Sequence, residues 1–222
     1  MIKRDYILNM IEQLILRLQL LTGMIDLKDF DGAFQLIDET MEEFFGWRSD
    51  FVNAIGEETL LAMLRDGNGR LDVDSTTLLA VLLKAEGDVH AARGHDQQGY
   101  HRYLRALHLF LTAHEEDHAS TVPAEWDHTL PVVEALSNFQ LPVATQQRLY
   151  HYLCDKGRWA DAETWLWEIA DSEGAPDAWH EEGDRFYDHL LAQSDPALSV
   201  GGLTRDEVRE GQAEWQGSPG AE

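Results

Sequence analysis

The chain of 222 residues is long enough to bury a sizeable core, as one large domain or as a short solenoid. Its 41 acidic residues against 17 basic ones leave a formal charge of −24, which argues against binding nucleic-acid phosphate or an anionic membrane surface, since both need clustered Lys and Arg. A single cysteine, Cys154, excludes an internal disulfide and fits a reducing compartment, so a cytoplasmic location is expected.

No secretory signal is expected at the start, and Asp5, Glu12 and Arg17 interrupt the apolar run too often for a transmembrane helix. Residues 3–25 read as the first helix. Ile7, Ile11, Leu14, Leu18, Leu21 and Ile25 alternate steps of four and three, a heptad-like seam. Leu16 and Leu20 fall on the opposite side, so this helix is either buried between neighbours, the favoured reading, or paired with a second chain as a homodimer. A second helix over residues 28–45 ends at Gly46, with Trp47 as a packing anchor. A third, over 49–65, contains Gly56 and is expected to break there. The loop that follows sets oxygen ligands at Asp66, Asn68, Asp72 and Asp74 in a calcium-like alternation. Arg70 and Thr77 stand where the helix–loop–helix calcium pattern needs acids, so a turn is expected, with Asp74 or Ser75 capping the next helix.

The most informative stretch comes next. Leu78, Leu79, Leu82, Leu83 and Val89 mark one apolar helical stripe, and Gly94 stops it just after the basic Arg93. Tyr100, Tyr103, Leu104, Leu107, Phe110 and Leu111 mark a second. A glycine inside a helix costs about 1 kcal/mol against alanine, so Gly87 and Gly99 need a packing reason, and with Ala106 they sit where two helices would cross closely. Beyond a turn-rich connection around Pro123 and Pro131, short helices are expected over 132–139 and 143–156, the second with Pro142 near its first turn. Gly157 turns the chain into a helix over 159–172, where Trp159, Leu166 and Trp167 read as core. Pro176 opens another helix to about residue 193. Thr204 and Glu207 form a capping box for a short acidic helix ending near Trp215, and residues 217–222 are expected to be disordered. This pattern predicts an all-α fold of stacked antiparallel helical hairpins, with one domain over residues 1–194 and an acidic extension over 195–222.

The spacing of Gly87, Gly94, Gly99, Tyr103 and Ala106 resembles a tetratricopeptide (TPR) repeat. Weaker copies occur at Phe30, Ala33 and Ile37 and at Gly157, Trp159, Ala162 and Leu166, although Lys28 and Tyr150 stand where the family carries small residues. Ala33, Gly99 and Ala162 lie 66 and 63 residues apart, close to twice the repeat period of about 34. A generic helical bundle would use small residues at its crossings in the same way. The opening RDYILNMIEQL also resembles an uncharacterised bacterial family whose members are all-helical and TPR-like.

Three constellations invite chemistry. His114, Glu115 and His118 spell the H-E-x-x-H signature of zinc hydrolases, in which two imidazoles hold the metal and the glutamate activates water. Glu116 and Asp117 inside the motif make it read as a solvated helix end rather than a buried apolar helix. Cys154 and His151 lie one turn apart, the spacing of a thiol and its base, but a lone cysteine on an amphipathic helix reads as core. The expected function is therefore a non-catalytic interaction scaffold without cofactor or metal, with a zinc-dependent hydrolase as the alternative and an acidic decoy of nucleic-acid-binding proteins as a third class. The TPR resemblance implies a partner groove lined by Lys84, Asp88 and Ala91 and by Gln147, His151 and Asp155. Such a mixed-to-acidic lining implies a neutral or basic peptide or protein partner.

Overall fold

The computed structural model describes residues 2–116, 120–176 and 178–217, and over them the chain is all-α, with twelve α-helices and no strand. They fall into two compact units, Met1–Gln140 and Leu141–Glu222.

In the first unit, α1 (Ile2–Asp26) carries the expected seam inward: Ile7, Ile11, Leu14 and Leu21 are buried, together with Met10. The favoured burial of the opposite side does not occur. Leu16 and Leu20 are 62% and 57% exposed, because α2 (Phe30–Phe45) and α5 (Val73–Arg93) both pack on the seam. Lys28 turns the chain with φ of 59°, Asp29 caps α2 through its carboxylate on the Gly32 N–H, and Gly46 closes α2 with φ of 72°. Gly56 does break the next segment, into α3 (Ser49–Ala54) and α4 (Glu57–Met63).

In the 66–74 loop, Asp72 caps α5 by accepting from the Ser75 N–H, rather than Asp74 or Ser75. Asp74 is buried and does something else. Its Oδ1 accepts from the Thr121 and Val122 N–H groups at 2.6 and 3.1 Å and from the Ser120 hydroxyl at 2.9 Å, fastening residues 120–122 to the start of α5. Asp66 Oδ1 takes the N–H groups of Asn68 and Arg70. These carboxylates thus shape the turn.

Helix α5 is the axis of the unit. Leu78, Leu79, Val81, Leu82 and Leu83 are all at most 1% exposed, the pattern of a helix covered on every side, here by α1, α2 and α6 (Asp96–Glu115). Gly94, with φ of 82°, reverses the chain so that α6 runs antiparallel to α5. The expected close crossing is present. A Cβ on Gly87 would lie 2.6 Å from the Tyr103 ring, and one on Gly99 3.4 Å from the Gly87 carbonyl. Beside the crossing, the buried Glu86 carboxylate accepts from Ser49 Oγ at 2.6 Å and Asn53 Nδ2 at 3.2 Å and lies 2.9 Å from Arg102 Nε. A buried charge persists only with such partners, and this one clamps α3 to the hairpin. Helix α7 (Thr129–Ala135) then packs on α6.

The second unit pairs α8 (Val143–Asp155) with α9 (Trp159–Ala170) across Gly157, and Ala162 is fully buried between helices. Helices α10 (Trp179–Leu191), α11 (Asp195–Val200) and α12 (Arg205–Gln216) follow. The region expected as an extension from residue 195 is part of this unit's core. The capping box at Thr204 and Glu207 forms as expected, Val208 and Trp215 are buried, and Gly183 on α10 leaves the space that the Trp215 ring fills. Residues 218–222, most of the expected disordered tail, lie outside the described residues.

Candidate interaction site

Two helices of the first unit offer matching faces. Leu18, Leu21, Thr22 and Ile25 on α1 and Val81, Lys84, Ala85 and Asp88 on α5 repeat the same i, i+3, i+4, i+7 spacing, which sets four side chains on one side of each helix. Together with His128 these faces line an open cavity of about 180 Å³. This volume suits one side chain of a partner rather than a drug-sized ligand, for which roughly 300 Å³ is the lower bound.

The polar groups in the cavity are held from behind. Lys84 Nζ donates to Asp88 Oδ2 at 2.7 Å, and the Tyr103 hydroxyl donates to Asp88 Oδ1 at 2.9 Å. Burial, reinforced by the charge and hydrogen bond of Asp88, pushes the Tyr103 phenol well above its usual range, so it stays a donor. Tyr103 reaches Asp88 only because Gly87 has no Cβ in the way. The glycine at the crossing and the ion pair in the cavity are therefore one arrangement. His128 comes from the turn before α7, where Asp127 Oδ1 accepts from both the Thr129 N–H and hydroxyl. Its ring lies between Trp126 and Phe110, with centroids 6.5 and 6.1 Å away, and its buried Nδ1 has no hydrogen-bond partner. Burial, then the Lys84 charge, holds the His128 pKa below the usual histidine value, with Asp127 and Asp88 opposing.

Of the six groove residues expected from the sequence, Lys84 and Asp88 lie in this cavity, and Ala91 is exposed on the last turn of α5 outside it. Gln147, His151 and Asp155 share one face of α8 in the second unit, with His151 and Asp155 exposed and the His151 ring edge-on to Tyr150 at 5.0 Å. His128 and the α1 wall were not singled out. The i, i+7 pairing of Leu18 with Ile25 was visible as seam, whereas nothing in the turn-rich stretch around His128 marks its place.

The zinc signature is only partly described. His114 and Glu115 end α6, and His118 lies outside the described residues. Glu116, within the motif, takes two hydrogen bonds from Arg65 at 2.8 and 2.5 Å and ties the end of α6 to the 65–71 turn. Among the described residues no group of three or more His, Cys, Asp or Glu could hold a metal ion. Burial pushes the Cys154 thiol up to about 12, which leaves it protonated at neutral pH and a poor nucleophile. Of the residues expected as core, Leu166 is buried, whereas Trp159 and Trp167 are half-buried; Trp167 donates its indole N–H to the Tyr187 hydroxyl and meets Trp215 edge-on. Among the described residues no helix is long and apolar enough to cross a membrane.

A family model described as a family of unknown function, DUF6483, matches residues 1–218. The chain belongs to the DUF6483 family. Comparison with curated proteins and with solved structures finds no match. The cavity between α1 and α5 joins five apolar side chains and Thr22 to an ion pair and the His128 side chain.

Proposed function

We propose that this protein is a non-catalytic, TPR-like interaction scaffold of the cytoplasm. Its cavity between α1 and α5 takes an aliphatic side chain of a neutral or basic segment of a partner protein. The observation that carries the reading is the socket itself: apolar walls from Leu18, Leu21, Ile25 and Val81, with Lys84, Asp88 and His128 fixed at defined points. Small concave sites with few, fixed polar groups recognise a shape and one or two hydrogen bonds. The charge of −24 raises the local concentration of basic segments and repels acidic ones.

Fluorescence polarisation with a panel of leucine-containing peptides, identical but for basic, neutral or acidic flanks, tests it at two salt concentrations. Basic and neutral peptides bind, the basic ones more weakly as salt rises. Thr22 is exposed at the cavity, so Thr22→Phe plugs it without entering the core and lowers affinity at least tenfold. Tightest binding by the acidic peptides, or unchanged binding by Thr22→Phe, overturns the assignment.

A further inference from the structure

Beside the cavity face, α1 carries a second face on which large apolar side chains stand exposed among the described residues. Leu8, Ile15, Leu16 and Leu20 are 41%, 42%, 62% and 57% exposed, and at 3.6 residues per turn they fall within an arc of roughly 140°. Helical Gly23 lies on the same face. Unlike Gly87, whose missing Cβ makes room for Tyr103, Gly23 has nothing within 4 Å of where its Cβ would be, and its φ is not positive. An exposed glycine inside a helix weakens that helix, so its place here calls for a close approach from outside the chain.

We propose that this face binds a second copy of the chain, with the two α1 helices packed antiparallel about a two-fold axis near Ile15 and Leu16. Charge selects the surface. Two chains of −24 repel, so copies meet only where acid is sparse, and residues 6–25 carry just Glu12 and Arg17. Arg17 faces away, paired with Glu43 and lying over the Phe44 ring, which leaves Glu12 as the one charge on the exposed stretch between Leu8 and Gly23. Shape selects the occupant. An antiparallel register centred between residues 15 and 16 sets Leu8 over Gly23 of the second copy, a large side chain into a gap. It sets Glu12 across from the neutral Gln19, and Asp5 across from Asp26 at each end, the acidic pairs whose repulsion salt screens. A parallel register would set Glu12 against Glu12 and leave both gaps empty. The same patch thus supplies both halves of its own complement, as a two-fold interface requires. At about 200 Å² for a fully exposed side chain of this size, the four apolar residues leave roughly 400 Å² open per chain; with the polar residues between them covered too, the pair approaches about 1,200 Å², the lower end of specific interfaces.

The test is the solution mass of the full chain by sedimentation and light scattering, across a hundredfold range of concentration and at low and high salt. The wild type passes from monomer to dimer as concentration rises. It does so at lower concentration in high salt, because salt screens the repulsion between two acidic chains. Leu16→Glu raises the dissociation constant at least a hundredfold and Gly23→Ala at least tenfold, both with unchanged far-ultraviolet circular dichroism. Val200→Glu, at an equally apolar position that is 90% exposed in the second unit, leaves the mass curve unchanged. A wild type that stays monomeric over the whole range in both salts overturns the proposal, and so does Gly23→Ala dimerising as tightly as the wild type. Failure of the cavity reading is separate, since Leu16→Glu lies on the other side of α1 from Leu18, Leu21 and Ile25 and leaves peptide binding intact, and peptide binding has the opposite salt dependence.

Discussion

Replacing Gly87 by alanine is the sharpest probe of the α5–α6 crossing, because the intrinsic and the tertiary effects have opposite signs. Alanine in a helix interior is favoured over glycine by about 1 kcal/mol. The new Cβ would lie 2.6 and 2.7 Å from two ring carbons of Tyr103, against ordinary contacts from 3.4 Å upwards. The ring cannot simply swing aside, since its hydroxyl is held at 2.9 Å by Asp88 and the residue is 6% exposed. Moving it costs about 1–3 kcal/mol in overpacking, and losing the charge-assisted hydrogen bond adds about 1.5–3 kcal/mol where the ring cannot keep it. After the helix gain is subtracted, Gly87→Ala with that hydrogen bond lost destabilises the first unit by about 1.5–5 kcal/mol, a fall in Tm of roughly 3–20 °C. Gly99→Ala is the control. Its Cβ would meet the Gly87 carbonyl at 3.4 Å, an ordinary contact, so its stability stays within about 0.5 kcal/mol of the wild type or rises. Urea unfolding followed by circular dichroism, with both variants in parallel, measures the difference. A Gly87→Ala variant as stable as the wild type, or a Gly99→Ala variant worse than Gly87→Ala, refutes the idea that Tyr103 fills the space of the missing Cβ.

Two further outcomes concern buried titratable groups. Burial holds His90 and His128 below the ordinary histidine value of 6.5, so just under that pH the unfolded chain binds more protons than the folded one. The stability they provide is complete above about pH 6.5 and is lost as pH falls through the window toward their folded values. Urea titrations between about pH 5 and 8 show a shallower loss for His128→Gln than for the wild type, and an unchanged slope would mean that ring is solvated. Burial, with the Glu207 and Glu214 charges, raises the Glu163 carboxyl above its ordinary 4.5 despite the hydrogen bond from Tyr187 at 2.8 Å. The stability linked to Glu163 is therefore present at low pH and lost as pH rises through its folded value. Glu163→Gln keeps an acceptor for the phenol and removes the charge, so its Tm exceeds that of the wild type at pH 7 and the gain vanishes below about pH 4.5. A lower Tm at pH 7 would show that the carboxylate charge stabilises the second unit.

Much of the helix architecture could be read locally. Apolar periodicity placed the helices, and the glycines at 46, 94 and 157 ended or separated them where a left-handed φ was needed. The break at Gly56 and the capping box at Thr204 depend on residues at most three positions apart, and both form as the pattern requires. Caps chosen among several nearby acids were harder: Asp72, Asp74 and Ser75 compete within four residues, and the choice follows from Asp74 being drawn to the backbone at 121 and 122.

The amino-acid order by itself determined that this is an all-α protein with a tight helical crossing at Gly87 and Gly99, because helix formation and glycine cost act over a single turn or hairpin. Tertiary structure decided what surrounds that crossing. It brought His128 to Lys84 and Asp88, made Glu86 a buried clamp, drew α12 into the second unit and left one side of α1 open to water. Those outcomes depend on which helix faces compete for the same neighbour, across forty residues or more in the case of His128, and no local spacing records the result of that competition.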